Sequence, residues 1–131
     1  MYCIDTNIAV EFLRGNKILI DKIGEFESVG ENIFINSVVL CELYKGVFLS
    51  SRKDTQLSAM EQFIDSLGFL DFTKEASKAF GELYADLQNE GTMTQENDLM
   101  IASIVKAHGA TLVTRNKKHF ANIKGLKVEE W

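Results

Sequence analysis

Short apolar runs alternate with longer amphipathic segments along this chain, and this alternation limits its fold more than any other feature. The runs Met1–Ile4, Asn32–Asn36 and Thr111–Thr114 have strand character, and each is followed by a segment whose apolar residues recur at helical spacing or in a helical turn. Strands that alternate with helices through short connections are typical of a parallel sheet with helices on both faces. The sequence therefore predicts one α/β domain over residues 1–131, with a small, mainly parallel sheet.

The same pattern predicts where the individual elements lie. Strands are expected at 1–4, 32–36, 68–72, 111–114 and 126–130. Helices are expected at 6–13, 17–26, 38–50, 53–66, 73–91 and 96–109, with a last helical turn near 117–123. Ser37 is predicted to cap the third helix, and Gly91 is predicted to end the fifth.

The composition is that of a folded globular protein, with 46% hydrophobic and 25% charged residues. No apolar run approaches the roughly 20 residues that a membrane span needs, and no basic-then-apolar leader precedes the first strand. Cys3 and Cys41 lie in apolar runs without the spacing of metal ligands, so we expect both thiols to be buried and reduced. These features predict a cytoplasmic protein with no membrane segment.

The formal net charge of −5 argues on its face against a polyanionic partner. The charge is unevenly distributed, however, because "SRKD" and "TRNKKH" are basic while acids concentrate in "NEGTMTQEND" and at the end of the chain. A cation and a local basic rim would still allow an acidic protein to bind nucleic acid. The net charge therefore leaves a nucleic-acid substrate open.

Three acidic residues occupy positions that packing does not readily explain. Asp5 follows the first strand, Glu42 lies in the apolar string "SVVLCELYKG", and Asp98 lies in the first turn of an otherwise apolar helix. Strand ends and the starts of following helices meet at one edge of a parallel sheet, so the three carboxylates could converge there. The alternative is that Asp5 and Asp98 cap helices and that Glu42 points outward from its helix.

Convergence of these carboxylates would require a cation, because close negative charges repel one another and raise one another's pKa. A group of acids without nearby histidine or cysteine ligands favours Mg²⁺ or Mn²⁺ over zinc. The chemistry that fits such a site is hydrolysis of a phosphodiester by metal-activated water.

The order of several motifs resembles that of a known family. "CIDTN", "SVVLCELYKG", "NDLMIASIVKAHGATLVTRNKKHF" and the ending "IKGLKVEEW" resemble PIN-domain ribonucleases along the whole chain. The likeness is greatest to the VapC toxins of bacterial and archaeal toxin–antitoxin pairs. It implies a PIN-like α/β fold and an Mg²⁺- or Mn²⁺-dependent endoribonuclease that leaves 5′-phosphate and 3′-hydroxyl ends.

The resemblance also implies the site residues. Members of the family bind the metal with three or four acids at one end of the sheet, and three of these positions fall on Asp5, Glu42 and Asp98. The fourth falls on Asn116, whose amide could orient a ligand but carries no charge, which counts against a second tightly held ion. Glu96 is the nearest acid that could compensate, and its alternative role is surface charge.

Small polar residues and cations surround these acids in the sequence. Thr6, Asn7 and Thr114 are expected either to orient a carboxylate or a metal-bound water, or to cap the following turn. A basic rim is expected to contact RNA phosphates, with Lys45 and Arg115 best placed. The rim candidates are Arg14, Lys17, Lys45, Arg115, Lys117 and Lys118.

Two alternatives to a metal-dependent nuclease remain at this point. His108 and His119 could act as acid and base in a metal-free ribonuclease. The other alternative is a catalytically weak or inactive PIN-like module that binds RNA or protein without cleaving it. Such a module should bind RNA equally well, and leave it intact, with or without Mg²⁺.

The family resemblance implies partners as well. A VapB-type antitoxin is expected to lay an amphipathic segment into a groove between "NKILIDKIGEF" and "TQLSAMEQFIDSLGF" and to direct an arginine to the acids. The ending "GLKVEEW" resembles family members that cut initiator tRNA, so a tRNA substrate is expected. Leftover apolar surface also predicts a homodimer.

Overall fold

The computed structural model describes residues 1–131, and the predicted alternation of strands and helices is confirmed. The strands are β1 (Tyr2–Ile4), β2 (Ile33–Asn36), β3 (Gly68–Leu70), β4 (Thr111–Thr114) and β5 (Lys127–Glu130). The helices are α1 (Thr6–Leu13), α2 (Lys17–Ser28), α3 (Ser37–Phe48), α4 (Lys53–Asp65), α5 (Lys74–Glu90) and α6 (Glu96–Ala107). A 3₁₀ turn, Lys117–Phe120, joins β4 to β5.

All five strands form one sheet, in the order β3-β2-β1-β4-β5, and every neighbouring pair is parallel. The register places Tyr2 of β1 opposite Ile33 of β2 and Thr111 of β4. Each parallel pair needs a crossover connection, which is why helices separate the strands in the sequence. The α/β class and the parallel sheet predicted from the sequence are therefore correct.

The helices cover both faces of the sheet because the chain reverses direction across it. From β1 the chain moves through β2 to β3, and it then returns past β1 to β4 and β5. Right-handed crossovers place α1–α4 on one face during the first run and α5 and α6 on the other during the return. The point of reversal lies between β1 and β4, where α/β proteins have a crevice at the carboxyl ends of the strands.

Two predicted local features differ from the structure. The third strand ends at Leu70 rather than at residue 72, because its partner β2 ends at Asn36 and offers no further backbone groups to pair with. Asn36, not Ser37, caps α3, since its side-chain oxygen accepts hydrogen bonds from the backbone N–H groups of Val38 and Val39. The Ser37 hydroxyl instead accepts a hydrogen bond from the backbone N–H of Phe72 at 3.3 Å.

The prediction of two buried cysteines is correct for Cys3 and wrong for Cys41, which is exposed. On α3 the buried residues Val39, Leu43 and Val47 recur every four positions and face the core, so the position of Cys41 falls on the outer side. Burial raises the pKa of the Cys3 thiol to about 12, which makes this thiol unreactive. None of the helices has both the length and the apolar character that a bilayer crossing requires.

Candidate active site

Asp5 lies at the point where the sheet reverses direction, and its carboxylate is held on both sides. The backbone N–H of Thr6 donates to Oδ1 at 2.8 Å, and the hydroxyl of Thr114 donates to Oδ2 at 2.7 Å. The Asp5 backbone N–H also donates to the carbonyl of Val113, which ties the residue to β4. Asp5 is only 5% exposed. It is therefore both the cap of α1 and a carboxylate fixed in the crevice, so its two sequence interpretations are compatible.

Glu42 is brought to the same place by α3. It lies beside Leu43, which faces the core, and its own side chain is half-buried at the edge of that face. Its Oε1 accepts a 2.8 Å hydrogen bond from the hydroxyl of Thr6. The positive charge of Lys45 favours the ionised form of Glu42 and opposes the larger effect of burial, which raises the pKa of this carboxyl. Glu42 thus points toward Asp5 and Thr6 rather than away from the protein.

Asp98 lies in the first turn of α6 but does not cap it. The cap position is Gln95, and no side-chain hydrogen bond closes this helix end. The Oδ2 atom of Asp98 lies 3.3 Å from Nδ1 of His119, yet this buried oxygen receives no aligned hydrogen bond. The alternative of a capping role, left open by the sequence, therefore lacks the hydrogen bond that would define it.

The three carboxylates lie near enough to one another for their charges to interact. Burial is the largest cause that raises the pKa of Glu42, and the negative charges of Asp5 and Asp98 raise it further. Burial also raises the pKa of Asp98, followed by repulsion from Asp5, whereas His119 lowers it. Residues far apart in the sequence thus share a confined, electronegative site at the carboxyl edge of the sheet.

The donor set of this site fits a hard divalent cation that keeps part of its water. No three acidic, histidine or cysteine side chains stand close enough to bind one ion with their own atoms alone. Simultaneous direct binding by Asp5, Glu42 and Asp98 is therefore not the observed arrangement. The repulsion among them and the unpartnered Oδ2 of Asp98 nevertheless favour a positive charge there. Mg²⁺ commonly uses one or two carboxylates and several waters.

The smaller polar residues named from the sequence divide into two groups. Thr6 and Thr114 bond directly to the carboxylates, as described above. Asn7 is half-buried and Glu96 is exposed, and neither side chain has a hydrogen bond to the acids. Asn116 is also exposed, and only its backbone is engaged, through an N–H that donates to the Thr114 hydroxyl at 3.0 Å. The structure therefore does not show Asn116 or Glu96 compensating for a fourth acid.

Exposed cations surround part of this edge. Lys45 is near enough to Glu42 to affect its pKa, and Arg14 lines a cavity that Glu42 also lines. Arg14 pairs with Glu11 at 3.4 Å in an exposed contact that contributes little to stability. The other rim candidates, namely Lys17, Arg115, Lys117 and Lys118, are exposed and make no salt bridge.

The two histidines lie at opposite ends of α6 and do not form a pair. His108 follows the last residue of the helix, and its Nε2 lies 3.1 Å from the carbonyl oxygen of Asp71. His119 contacts Asp98 in the first turn. Ten residues of helix between Asp98 and His108 amount to about 15 Å. Acid–base catalysis by these two histidines together is therefore excluded by their separation.

The contact between His119 and Asp98 is not predicted by the sequence, which assigns His119 to a basic loop. One feature of the sequence could have indicated this contact, because the turn after β4 and the start of α6 both lie at the same predicted edge of the sheet. What the sequence lacks is the conformation of the turn. There the His119 backbone N–H donates to the carbonyl of Asn116 at 2.9 Å and fixes the ring on the side of Asp98.

Two cavities flank α3, and Glu42 and Gly46 line both. The first has a volume of about 320 Å³ and lies between α1, α3 and α4, with Leu13 and Met60 among its apolar residues. The second has a volume of about 600 Å³ and extends from α3 toward Asn97 at the start of α6. The sequence predicted a groove between α2 and α4. In the structure the cavity beside α4 is lined by α1 and α3 instead of α2. The buried Leu19 and Ile23 hold α2 in the core.

These observations define the class of protein: a small α/β domain with an acidic site at the reversal point of an all-parallel sheet. The sequence profile of the PIN domain matches residues 2–126. Ribonuclease VapC2 of Rickettsia felis is 38% identical over 133 residues, which cover 100% of this chain and 98% of that protein. The tRNA(fMet)-specific endonuclease VapC of Salmonella typhimurium is 29% identical, with coverage of 99% and 97%.

A solved structure gives the same result. The crystal structure of VapBC2 from Rickettsia felis, bound to a DNA fragment from its promoter, superimposes with a TM-score of 0.93 and 34% identity. The match covers 99% of this chain and 98% of that one. The chain belongs to the PIN domain family and, within it, to the VapC ribonucleases.

Proposed function

We propose that this chain is the toxin of a VapBC-type toxin–antitoxin pair and acts in the cytoplasm as an Mg²⁺- or Mn²⁺-dependent endoribonuclease. The observation that carries the proposal is the acidic site itself, where the carboxylates of Glu42 and Asp98 are each affected by the charge of Asp5 from another segment. A protein that only bound RNA would gain nothing from placing three negative charges beside a phosphate backbone. Membership of the VapC family supports the same activity.

Each residue has a defined part in this proposal. A bound Mg²⁺ or Mn²⁺ supplies an activated water and offsets charge that develops on the phosphate. Asp98 would hold the ion directly, and Asp5 and Glu42 would hold it directly or through water. Thr6 and Thr114 hold the carboxylates in position, while Lys45 and Arg115 contact the RNA backbone.

Cleavage of RNA in the presence and absence of a chelator tests this chemistry. We expect cleavage only with Mg²⁺ or Mn²⁺, and products with 5′-phosphate and 3′-hydroxyl ends. Cleavage that survives EDTA or gives 2′,3′-cyclic ends would overturn the metal-dependent mechanism. Metal-independent RNA binding without cleavage would instead support the module that only binds.

A tRNA is the proposed substrate, with the initiator tRNA as the first candidate. The support is the Salmonella typhimurium relative, whose name specifies tRNA(fMet). Incubation of the purified chain with initiator tRNA and with an elongator tRNA of similar length tests the assignment. Preferential cleavage of the initiator tRNA is expected. Equal cleavage of both would remove this substrate and leave the nuclease activity in place.

The proposed partner is a VapB-type antitoxin that occupies the 320 Å³ cavity between α1, α3 and α4. This cavity has an apolar floor and reaches Glu42, so a helix or strap laid into it can direct an arginine to the acids. Co-expression of the neighbouring small reading frame should abolish cleavage and growth arrest. No change on co-expression would contradict the toxin assignment while the nuclease could still stand.

A homodimer is proposed from the exposed apolar residues that remain. Phe48 and Leu49, at the end of α3, are 59% and 79% exposed, and Phe69 on the edge strand β3 is 47% exposed. Large exposed apolar side chains suit a two-fold contact. Sedimentation of the purified chain tests this, and a monomer at micromolar concentration would contradict it.

A further inference from the structure

The cavity of about 600 Å³ beside α3 adjoins the acidic site, and the roles above leave it without an occupant. One side of α3 lines it, at positions that recur at helical spacing between 37 and 46. Thr6 and Glu42 line it too, and the backbone N–H of Thr6 donates to Asp5. A molecule in this cavity would therefore lie directly beside the carboxylates of the proposed active site.

The lining combines apolar surface with polar groups that are free to bond. Phe72, which follows β3, and Met100, on α6, supply half-buried apolar side chains. The side chain of Asn97, also on α6, is exposed and makes no hydrogen bond within the protein. The Ser37 hydroxyl accepts from the backbone N–H of Phe72 and donates to no protein group. The cavity thus offers an apolar wall together with hydrogen-bond donors and an acceptor.

A nucleobase of single-stranded RNA matches this lining. The faces of a base stack on aromatic side chains, and its edge bonds to donors and acceptors. An asparagine amide supplies both kinds of group. Lys45 is exposed and lines the same cavity, so its positive charge is available to the phosphate that carries the base. The volume of the cavity lies within the range of about 300–1,000 Å³ that is usual for small-molecule sites.

We infer that this cavity binds the base next to the scissile phosphate of the RNA, with Phe72 stacking on the base and Asn97 bonding to its edge. The inference rests on the proposed function, because it concerns the substrate of the same site. It makes Phe72 and Asn97 residues that bind and select the nucleotide at the cleavage point, while the acids act on the phosphate.

Cys41 lines the cavity and provides a probe of its occupancy that does not depend on activity. Its thiol is exposed, whereas Cys3 is buried with its pKa raised to about 12, so iodoacetamide should alkylate Cys41 alone. The alkylation rate is measured in EDTA, with and without a saturating single-stranded RNA octamer. An octamer of abasic nucleotides is the control, because it has the same charge and no bases. We expect the RNA to slow alkylation at least tenfold and the abasic octamer to change it little.

Two variants test the contacts that the base would make. Asn97→Ala and Phe72→Leu should each weaken binding of the RNA octamer by about 5- to 100-fold and leave binding of the abasic octamer unchanged. Asn122→Ala and Phe80→Leu are the matched controls, since Asn122 is exposed, Phe80 is half-buried, and neither lines this cavity. Both controls should bind the RNA as the unchanged chain does.

Several results would overturn the inference. Equal protection of Cys41 by the two octamers would show that only the phosphate backbone passes the cavity. Alkylation of the RNA-free chain that slows as the protein concentration rises would mean that a second copy covers the cavity, where Leu49 also lies. Cleavage with Mn²⁺ but no protection by bound RNA would remove the base site and leave the nuclease. Protection without cleavage would support the base site and overturn the proposed function instead.

Discussion

The hydroxyl of Thr6 donates a 2.8 Å hydrogen bond to Oε1 of Glu42, although the two residues are 36 positions apart in the sequence. The backbone N–H of the same threonine donates to Asp5 at 2.8 Å. One small residue at the start of α1 therefore holds two of the three carboxylates in a fixed relation. This arrangement makes Thr6 a positioning residue whose loss should affect the geometry of the site before it affects the fold.

Thr6→Val should lower kcat/KM for RNA cleavage by about 10- to 100-fold, because an outer-shell partner of a ligand is removed. Valine keeps the shape of threonine but cannot donate to Glu42. Thr6→Ser keeps the hydroxyl and should retain most of the activity. Single-turnover cleavage at saturating Mn²⁺ gives the comparison. A loss in Thr6→Ser with little loss in Thr6→Val would mean that the methyl group, not the hydrogen bond, matters.

Asp98→Asn should abolish cleavage and leave the thermal midpoint unchanged or slightly higher, since it removes a charge that repels its neighbours. Asp54→Asn is the matched control, because Asp54 also lies in the first turn of a helix, α4, and is exposed. This control should cleave RNA normally. A large drop in the midpoint for Asp98→Asn alone would assign Asp98 a structural role in α6.

In the absence of metal, the stability of the fold should depend on pH because the pKa of Glu42 is raised. The pKa of Glu42 in the folded protein is raised above its ordinary value of 4.5, mainly by burial. The protonated carboxyl therefore stabilises the fold fully below pH 4.5, and this contribution is lost as the pH rises through the raised pKa.

The free energy of unfolding of Glu42→Gln should consequently exceed that of the unchanged chain by a margin that grows from about pH 4 to about pH 7. Urea denaturation in EDTA at several pH values measures this margin. A margin that stays constant over that range, or that shrinks as the pH rises, would contradict a raised pKa for Glu42.

Mn²⁺ should raise the thermal midpoint of the unchanged chain at neutral pH, because the ion binds the folded acids and offsets their repulsion. A concentration of about 100 times the dissociation constant corresponds to about 2.7 kcal/mol of stabilisation. Asp98→Asn should show little of this increase, and EDTA should reverse it. An equal increase in Asp98→Asn would place the stabilising ion at another site.

Gly46→Ala should stabilise the fold by about 1 kcal/mol, because alanine is a much better helix former than glycine. Gly46 lies inside α3 and a Cβ atom there would meet no atom within 4 Å. Gly91→Ala is the contrasting variant, since Gly91 has a φ of +67° at the end of α5 and should lose about 1–2 kcal/mol. Chemical denaturation gives both values. Similar signs for the two changes would contradict this account.

The local elements of this protein can be predicted closely from the sequence, and the errors have local causes. Strand and helix positions agree with the structure within a few residues because apolar periodicity reflects burial directly. The cap of α3 is predicted at Ser37 instead of Asn36, since both residue types favour that position and only the hydrogen bonds to Val38 and Val39 distinguish them. The predicted burial of Cys41 is wrong because an apolar neighbourhood does not show which side of a helix faces outward.

The sequence by itself determined that this chain forms a parallel α/β sheet, because periodicity and strand–helix order are written along the chain, and it predicted that three acids could converge at one edge. The tertiary structure alone decided which groups meet there. Thr114 reaches Asp5 across 109 positions, and His119 reaches Asp98 through a turn whose conformation no pattern specifies. Such contacts depend on the direction in which each helix returns across the sheet, and distances between segments are fixed only when the whole core is packed.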